Sequence, residues 1–225
     1  MLYLVPTPIG NLDDITLRAL RVLQDVDLIA CEDTRRTGVL LSHFDIDNRT
    51  ISYHDHNERQ RAPQLIKQLK AGHDIALVSD AGAPGISDPG FYLVREAVNN
   101  QIEVQALPGA TAFVPALTAS ALPSDRFVFE GFLPQKKGRM KRLKEARNEL
   151  RTLVYYESPY RLLKALRQMA DVFGENRQAV VARELSKTYE EYQRGTLTEL
   201  IDEYESRKNI KGEVVILVAG AEQTA

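Results

Sequence analysis

Apolar and polar positions repeat with two different periods along this chain, and the two periods alternate. Short runs rich in valine, isoleucine and leucine indicate strands, and stretches with apolar residues three or four positions apart indicate helices. In the N-terminal half, strands are predicted at 3–5, 28–31, 51–53, 75–78 and 103–107, and helices at 14–23, 63–71 and 91–98. Strands that alternate with helices are typical of an α/β protein.

A segment of small residues and prolines, 108–125, separates these elements from a second set. After it, strands are predicted at 127–130, 152–156, 179–183, 189–194 and 214–219, and helices at 138–150, 159–173 and 197–207. Thr196, with Glu199 three positions later, predicts a capping box at the start of the last helix. The pattern therefore predicts two α/β domains, 1–115 and 116–225, with a cleft between them.

Composition narrows the class of protein. The single cysteine, Cys31, excludes an internal disulfide and is most simply a small buried residue. The N-terminal apolar stretch is too soon broken by Pro6 and Pro8 to be a signal peptide, and no stretch has the length of a membrane span. We therefore expect a cytoplasmic protein without membrane contact. A net charge of −2 gives no general attraction to nucleic acid.

One stretch departs from this charge balance. Residues 136–151 carry eight lysines and arginines against only Glu145 and Glu149. A solvated helix face is the usual explanation of a charged run, but the excess of one sign indicates a polyanion nearby.

The loop at 77–90, LVSDAGAPGISDPG, follows a predicted strand and precedes a predicted helix. Its three glycines permit close backbone approach, and its two prolines stiffen the chain, so the loop has a defined shape. Such a loop can hold a ligand against backbone groups, or it can be a tight turn with no ligand. From the residues alone the two interpretations are about equally supported.

Polar residues repeatedly follow the predicted strands, where ligands bind in open α/β sheets. One group can position a substrate or form a charge network within a helix: Glu32, Asp33, Arg35 and Arg36. A second can border a site or cap a helix: Glu157, Ser158, Tyr160 and Arg161. A third can belong to a site or to a ladder of surface salt bridges: Arg183, Glu184, Lys187, Glu190 and Glu191.

The common catalytic signatures do not occur in the sequence, whether GxGxxG, the Walker loop, GxSxG or HExxH. His54 and His56, with Asp55 and Glu58, have the ligand types of a metal site. No third ligand of matching spacing accompanies them, so a polar loop is the preferred interpretation and no metal is expected.

Eight motifs carry a resemblance to a known family. In chain order they are LVPTPIGNLDDITLRAL, ACEDTRRT, LVSDAGAPGISDPG, PGAT, GFLP with the basic run, YYESPYR, VARELSK and KGEVVILV. Their order and spacing resemble the ribosomal RNA small subunit methyltransferases I, a family within the tetrapyrrole methylase class, over residues 2–219. That family uses S-adenosylmethionine (AdoMet) to methylate a cytidine ribose 2′-oxygen in 16S ribosomal RNA.

The resemblance implies two α/β domains of the tetrapyrrole methylase (class III methyltransferase) type, with AdoMet in the cleft between them. It also implies a homodimer that acts on the small ribosomal subunit and not on DNA. The N-terminal domain would contribute the glycine-rich AdoMet loop, and the C-terminal domain would complete the cleft and carry the basic helix.

The resemblance further implies site residues. For the cofactor these are Pro8, Gly10, Asp80, Ala81, Gly82, Ala83, Ser87, Asp88, Pro108, Gly109, Ala110, Thr111, Tyr156 and Ala182, with Pro8 and Gly10 on the substrate side. By residue type, Glu184 or Asp33 would take the proton of the ribose hydroxyl, beside Lys187. RNA phosphates would be held by Arg35, Arg36, Lys136, Lys137, Arg139, Lys141 and Arg161.

Two departures from the family pattern affect these expectations. Many relatives continue beyond the last predicted strand, whereas this sequence stops at Ala225, so RNA contacts made there would be missing or replaced. Tyr160 stands where a histidine is usual. Two other functions remain as alternatives: methylation of a small tetrapyrrole-like substrate, for which the basic run has no evident use, and a non-catalytic module that binds AdoMet or RNA.

Overall fold

Two sheets, each in a unit of its own, organise the chain. A computed structural model describes residues 1–221, and the chain divides between Thr111 and Ala112. The first unit contains β1 (Leu2–Leu4), β2 (Leu28–Cys31), β3 (Thr50–Ser52), β4 (Ile75–Val78) and β5 (Val104–Ala106). They pair in the order β3-β2-β4-β1-β5, all parallel, so their carboxyl ends lie along one edge.

Helices cover both faces of this sheet. They are α1 (Leu17–Asp25), α2 (Thr34–His43), α3 (Glu58–Lys70) and α4 (Phe91–Asn99). Buried residues of α3 and α4 form one apolar cluster with the strands, and those of α1 and α2 form another. Burial on both faces explains why β2 and β4 are apolar at every position.

In the first unit, two helix starts differ from the sequence prediction. α1 begins at Leu17 because the Thr16 hydroxyl caps it, accepting from Ala19 N at 3.0 Å, and residues 12–14 form a separate 3₁₀ turn. α3 begins at Glu58, upstream of the predicted start, so Pro63 lies inside the helix.

The second unit has a mixed sheet. Its strands are β6 (Phe127–Phe132), β7 (Thr152–Glu157), β8 (Gln178–Arg183), β9 (Glu191–Thr196) and β10 (Val214–Val218). The order is β6-β7-β10-β8-β9, in which only β6 and β7 are parallel. The predicted α/β class is confirmed in both units.

The helices of the second unit are α5 (Phe113–Thr118), α6 (Arg139–Glu145), α7 (Leu162–Phe173) and α8 (Leu197–Glu205). The predicted domain boundary at 115/116 would fall inside α5, which belongs wholly to the second unit. The predicted capping box of α8 is confirmed, since Thr196 Oγ1 accepts from Glu199 N and Thr196 N donates to Glu199 Oε2. No helix within residues 1–221 is long and apolar enough to cross a membrane.

Candidate functional site

The loops that follow the parallel strands of the first unit all lie at the carboxyl edge of its sheet. Ligands of open α/β sheets bind outside this edge. Twelve of the predicted cofactor residues lie in the loops after β1, β4 and β5: Pro8, Gly10, Asp80, Ala81, Gly82, Ala83, Ser87, Asp88, Pro108, Gly109, Ala110 and Thr111. The fold therefore brings together residues that are far apart in sequence.

Hydrogen bonds join the loop after β1 to the glycine-rich loop. Thr7 N donates to Gly82 O and Gly82 N donates to Thr7 O, both at 2.9 Å. The Thr7 hydroxyl donates to Ser79 O at 3.1 Å, and the Ser79 hydroxyl donates to Gly82 O at 3.0 Å. Both side chains are buried, at 4% and 3% exposure, so their hydroxyls must find partners inside the protein. This pair, which the sequence reasoning missed, fixes the two loops relative to each other.

At two positions in these loops the backbone geometry favours glycine over any residue with a side chain. Gly82 has φ +89°, a left-handed conformation that side chains rarely adopt. A Cβ on Gly109 would lie 2.7 Å from Pro6 Cβ, so only glycine lets the loop after β5 pass against the end of β1. The loops after β1, β4 and β5 thus meet in one fixed arrangement.

Asp80 connects the glycine-rich loop to the segment after β2. Its Oδ1 accepts from Asp33 N at 3.1 Å, and its Oδ2 lies 3.1 Å from Arg36 Nη1. Asp33 instead pairs with Arg35 at 2.7 Å and caps α2. Hydrogen bonds from the Arg35 side chain and backbone hold the pKa of Asp33 well below its usual range, so Asp33 is a weak base. The charge network within the helix is therefore present, and Arg36 reaches beyond it.

Carboxyl groups concentrate beside this loop. Burial, together with the nearby charges of Glu32, Asp80 and Asp55, raises the pKa of Asp88 to about 7, against an opposing effect of the polar Ser79 side chain. Burial, followed by the Asp80 charge, also raises the pKa of Glu32. The site is negative and partly desolvated, which favours positively charged ligand groups. The part of the chain that the structure describes has no group of three or more His, Cys, Asp or Glu residues arranged to hold a metal ion.

Glu184 lies in an ion pair. Its Oε1 accepts from Lys187 Nζ and from Glu213 N, both at 3.0 Å. Burial would raise the pKa of Glu184, but these hydrogen bonds outweigh it and lower the pKa, while the same pairing raises the pKa of Lys187 against its own burial. A Cβ on Gly212 would overlap the Glu184 carboxylate, so the glycine makes room for the pair. The salt-bridge ladder extends to Glu191, which bonds Arg183 and Arg207 at 2.6 Å each.

The basic run is divided between solvent and core. Lys136, Lys137 and Lys141 are exposed, as an RNA contact requires. Arg139 is not: it is 4% exposed, its Nη2 donates to Glu157 Oε2 at 2.6 Å, and its Nε donates to Gln168 at 2.7 Å. The prediction that Arg139 binds RNA is therefore corrected, because its guanidinium is buried in the second unit.

Glu157 is the centre of that buried group. Its Oε1 accepts from Arg161 Nε and from Ser158 N, both at 2.8 Å. Ser158 stands at the N-cap of a 3₁₀ turn, Pro159–Arg161, without a side-chain cap bond. The segment after β7 is consequently fixed to α6 through Glu157. The partly exposed Arg161 is already paired with Glu157, and its predicted RNA contact would have to share it with this ion pair.

The two predicted cofactor residues of the second unit have different surroundings. The Tyr156 hydroxyl accepts from Phe113 N at 3.3 Å, and its ring packs edge-on against Phe129 and Phe132. Ala182 is 0% exposed in β8, so the structure offers no surface of this residue to a ligand. The role of Tyr156 stays a prediction.

The chain matches the family model described as Tetrapyrrole (Corrin/Porphyrin) Methylases over residues 1–201. It is 55% identical to the ribosomal RNA small subunit methyltransferase I of Escherichia coli O157:H7, over 97% of this chain and 77% of that protein. The protein of the same name from Pseudomonas aeruginosa is 54% identical, over 97% of this chain and 78% of that protein. The protein of that name from Synechocystis is 52% identical, over 98% of this chain and 79% of that protein.

Solved structures share the fold at low sequence identity. Diphthine synthase aligns with a TM-score of 0.72 at 14% identity, over 97% of this chain and 89% of that one. Uroporphyrin-III C-methyltransferase from Thermus thermophilus, complexed with S-adenosylhomocysteine, aligns with a TM-score of 0.66 at 18% identity, over 96% of each chain. The predicted tetrapyrrole methylase fold is confirmed.

Proposed function

The chain belongs to the tetrapyrrole methylase family and, within it, to the ribosomal RNA small subunit methyltransferases I, and from this premise we propose that it uses AdoMet to methylate the ribose 2′-oxygen of a cytidine in 16S ribosomal RNA. The observation that carries the proposal is the joined set of loops after β1, β4 and β5. Under this proposal the partner is the small ribosomal subunit, and the enzyme acts in the cytoplasm as a homodimer.

The chemistry of these loops fits AdoMet. The molecule carries a sulfonium and an ammonium, which the carboxylates of Asp80 and Asp88 would attract. Its polar groups need hydrogen-bond partners, and the short side chains of the half-buried Ala81 and Ala83 would let a ligand approach their backbone N–H groups, whereas Gly82 is already bonded to Thr7 and Ser79. The loop at 108–111 would supply a second wall of the same kind.

AdoMet, when bound, supplies an electrophilic methyl group. The contribution of the chain is alignment, because an in-line displacement requires the attacking oxygen, the methyl carbon and the sulfur to be collinear. The buried bonds between Thr7, Ser79 and Gly82 keep the binding loops from moving relative to each other. Such preorganisation lowers the entropic cost of aligning the reacting groups.

The ribose hydroxyl must lose its proton, and a base is most effective when its pKa is near the working pH. Glu184, with Lys187, and Asp33 are the acceptors proposed from residue type, but both carboxylates are held in ion pairs that lower their pKa. Asp88 has a pKa of about 7 and belongs to the glycine-rich loop. We therefore rank Asp88 first as the proton acceptor and Glu184 second.

The exposed lysines of the basic run would hold phosphates of the ribosomal RNA. Lys136 and Lys137 precede α6, and Lys141 lies on it with 81% of its side chain exposed. In the first unit, Arg36 would also contact an RNA phosphate, since 70% of its side chain is exposed.

The experiment is methylation of small subunits that lack this modification, with isotopically labelled AdoMet. We expect one labelled cytidine per subunit whose ribose is methylated, located by mass spectrometry of nuclease digests and by resistance of the adjacent phosphodiester to alkali. Label on a base, or label on a tetrapyrrole but not on subunits, would refute the proposal. AdoMet binding without turnover would support the non-catalytic alternative.

Two variants separate the candidate proton acceptors. Asp88→Asn should lower kcat about 10²- to 10⁴-fold, the usual contribution of general base catalysis. Glu184→Gln should leave kcat much closer to that of the wild type. The opposite ranking, with AdoMet and subunit binding retained in both variants, would return the role to Glu184.

A further inference from the structure

A pocket lies at the carboxyl edge of the first unit, where α3 and α4 begin. Its volume is about 250 Å³. Its wall includes Asp55, Asp88, Arg59, Phe91, Tyr92 and Arg95. Asp88 belongs to the glycine-rich loop, and Phe91 follows that loop directly, so the pocket adjoins the proposed AdoMet site within the same unit.

Aromatic rings and guanidinium groups form one side of the pocket. Arg59 lies over the Tyr92 ring at 4.5 Å, and Arg95 lies 5.2 Å from the Tyr92 ring and 5.6 Å from the Phe91 ring. Phe91 itself is 70% exposed. A flat aromatic side chain left open beside arginines is the arrangement that stacks nucleic-acid bases.

The arginines retain donors for a ligand. The Arg59 Nε atom lies 3.9 Å from Glu58 and the Arg95 Nε atom lies 3.8 Å from Glu96, distances too long for hydrogen bonds. Both arginine side chains are substantially exposed, at 76% and 47%. Their planar N–H groups suit the ring nitrogen and carbonyl acceptors of a base.

The charge balance excludes a simple phosphate site. Two arginines share the wall with three carboxyl groups, those of Asp55, Glu58 and Asp88. A phosphate would be repelled by the carboxylates, whereas a base that presents an amino group beside ring acceptors matches both kinds of side chain. Carboxylates accept from the N4 amino group of cytosine, and guanidinium groups donate to ring acceptors.

We infer that this pocket binds the base of the target cytidine, stacked on Phe91, with Arg95 donating to its ring acceptors and Asp55 accepting from its amino group. The inference rests on the proposed function, which supplies the cytidine. A base in this pocket lies next to Asp88, and its ribose would then be close to the loop that is proposed to hold the methyl donor. The adenine of AdoMet has a similar edge, so the experiment must distinguish the two bases.

The decisive variant is Phe91→Ala, compared with Phe91→Tyr, which keeps an aromatic face, and with Phe91→Leu, which keeps apolar volume only. Stacking on one aromatic side chain is worth ~1–3 kcal/mol, which corresponds to about a 5- to 150-fold loss. We expect that loss in kcat/KM for undermethylated small subunits in the alanine and leucine variants, and recovery of most of it in the tyrosine variant. AdoMet affinity, measured by calorimetry without RNA, should change less than about twofold, because stacking concerns the RNA base alone.

Val98→Ala is the matched control, because Val98 is 60% exposed on the same helix and does not border the pocket. It should leave kcat/KM unchanged.

Two results in Phe91→Ala would overturn the inference. Weaker AdoMet binding would assign the pocket to adenine, and loss of the dimer in sedimentation would assign Phe91 to a subunit contact. A wild-type kcat/KM in Phe91→Ala would also overturn it. A wild-type enzyme that fails to methylate subunits would instead refute the proposed function itself.

Discussion

Replacing Arg139 by methionine tests its assignment to the core. Methionine approximates the length of the side chain without its charge or its donors. The substitution removes the 2.6 Å bond to Glu157 and the 2.7 Å bond to Gln168, in a place where the two charged side chains are 4% and 1% exposed. The Glu157 carboxylate would keep its bonds from Arg161 and Ser158.

The expected cost follows from these contacts. Removing one partner of a buried ion pair costs about 3–5 kcal/mol, because the remaining charge stays in a poorly solvated place. Arg161 still compensates Glu157, so the cost should be near the lower limit, ~3 kcal/mol. For a chain of this size, 1 kcal/mol changes Tm by about 2–4 °C, so Tm should fall by about 6–12 °C.

Urea unfolding followed by circular dichroism measures the free energy, and Lys137→Met is the matched control. Lys137 is exposed, so that variant should change stability by less than about 0.5 kcal/mol. Adding Glu157→Gln to Arg139→Met should recover part of the loss, because the buried charge is gone. An Arg139→Met protein that unfolds at the wild-type urea concentration but binds small subunits more weakly would refute the burial argument and restore Arg139 as an RNA contact.

Three further predictions concern RNA binding, pH and the loop after β5. The triple variant Lys136→Gln, Lys137→Gln, Lys141→Gln removes three exposed cations. The slope of log K for small-subunit binding against log salt concentration should become shallower by about 2, at ~0.7 per lost phosphate contact. An unchanged slope would count against the RNA role. Asp88 has a folded pKa of about 7 against ~3.9 unfolded, so the folded state holds the extra proton between these values and the contribution of Asp88 to stability declines as pH rises through that window. The Tm of Asp88→Asn should therefore rise relative to the wild type between pH 5 and pH 8, and a constant difference would contradict the raised pKa. Gly109→Ala should cost about 1–3 kcal/mol and weaken AdoMet binding in calorimetry, because its Cβ would lie 2.7 Å from Pro6. Gly38→Ala, where a Cβ meets nothing within 4 Å, should do neither; equal effects of the two would contradict the packing argument.

Strand positions were predictable where the burial pattern is strong. The bounds of β2 and β4 agree with the sequence prediction, because four apolar residues in each case are followed by polar ones. β9 was predicted at 189–194 and lies at Glu191–Thr196. None of its residues is fully buried, so its limits depend on pairing with β8, which local sequence does not reveal.

The excess positive charge of the basic run is visible in the sequence. Which of its residues face solvent and which are buried was not predicted. Arg139, Leu143 and Ala146 are all buried and stand at helical spacing on one face. Arg139 therefore continues an apolar stripe, and the partner that makes its burial tolerable, Glu157, comes from a distant strand. Periodicity could have raised the question, but only tertiary structure identifies the partner.

The loops of the candidate site were predictable as loops, because glycine and proline mark them locally. Their mutual bonds were not, since Thr7 and Gly82, or Asp33 and Asp80, are separated by many residues and meet only through strand order. The pocket borders the glycine-rich loop by chain continuity, through Asp88 and Phe91, whereas Asp55 and Arg59 reach it from the segment after β3.

This adjacency has an energetic consequence for the segment 79–91. Ser79 and Gly82 hold the loop against Thr7, Asp80 and Asp88 provide its carboxylates, and Phe91 borders the pocket. Residues that share one backbone segment and one set of bonds do not contribute independently. Loosening the loop by Ser79→Ala would displace the groups proposed for the methyl donor and the wall of the pocket together. The losses from Ser79→Ala and Phe91→Ala should therefore be less than additive in kcat/KM, because the first already disturbs the site on which the second acts.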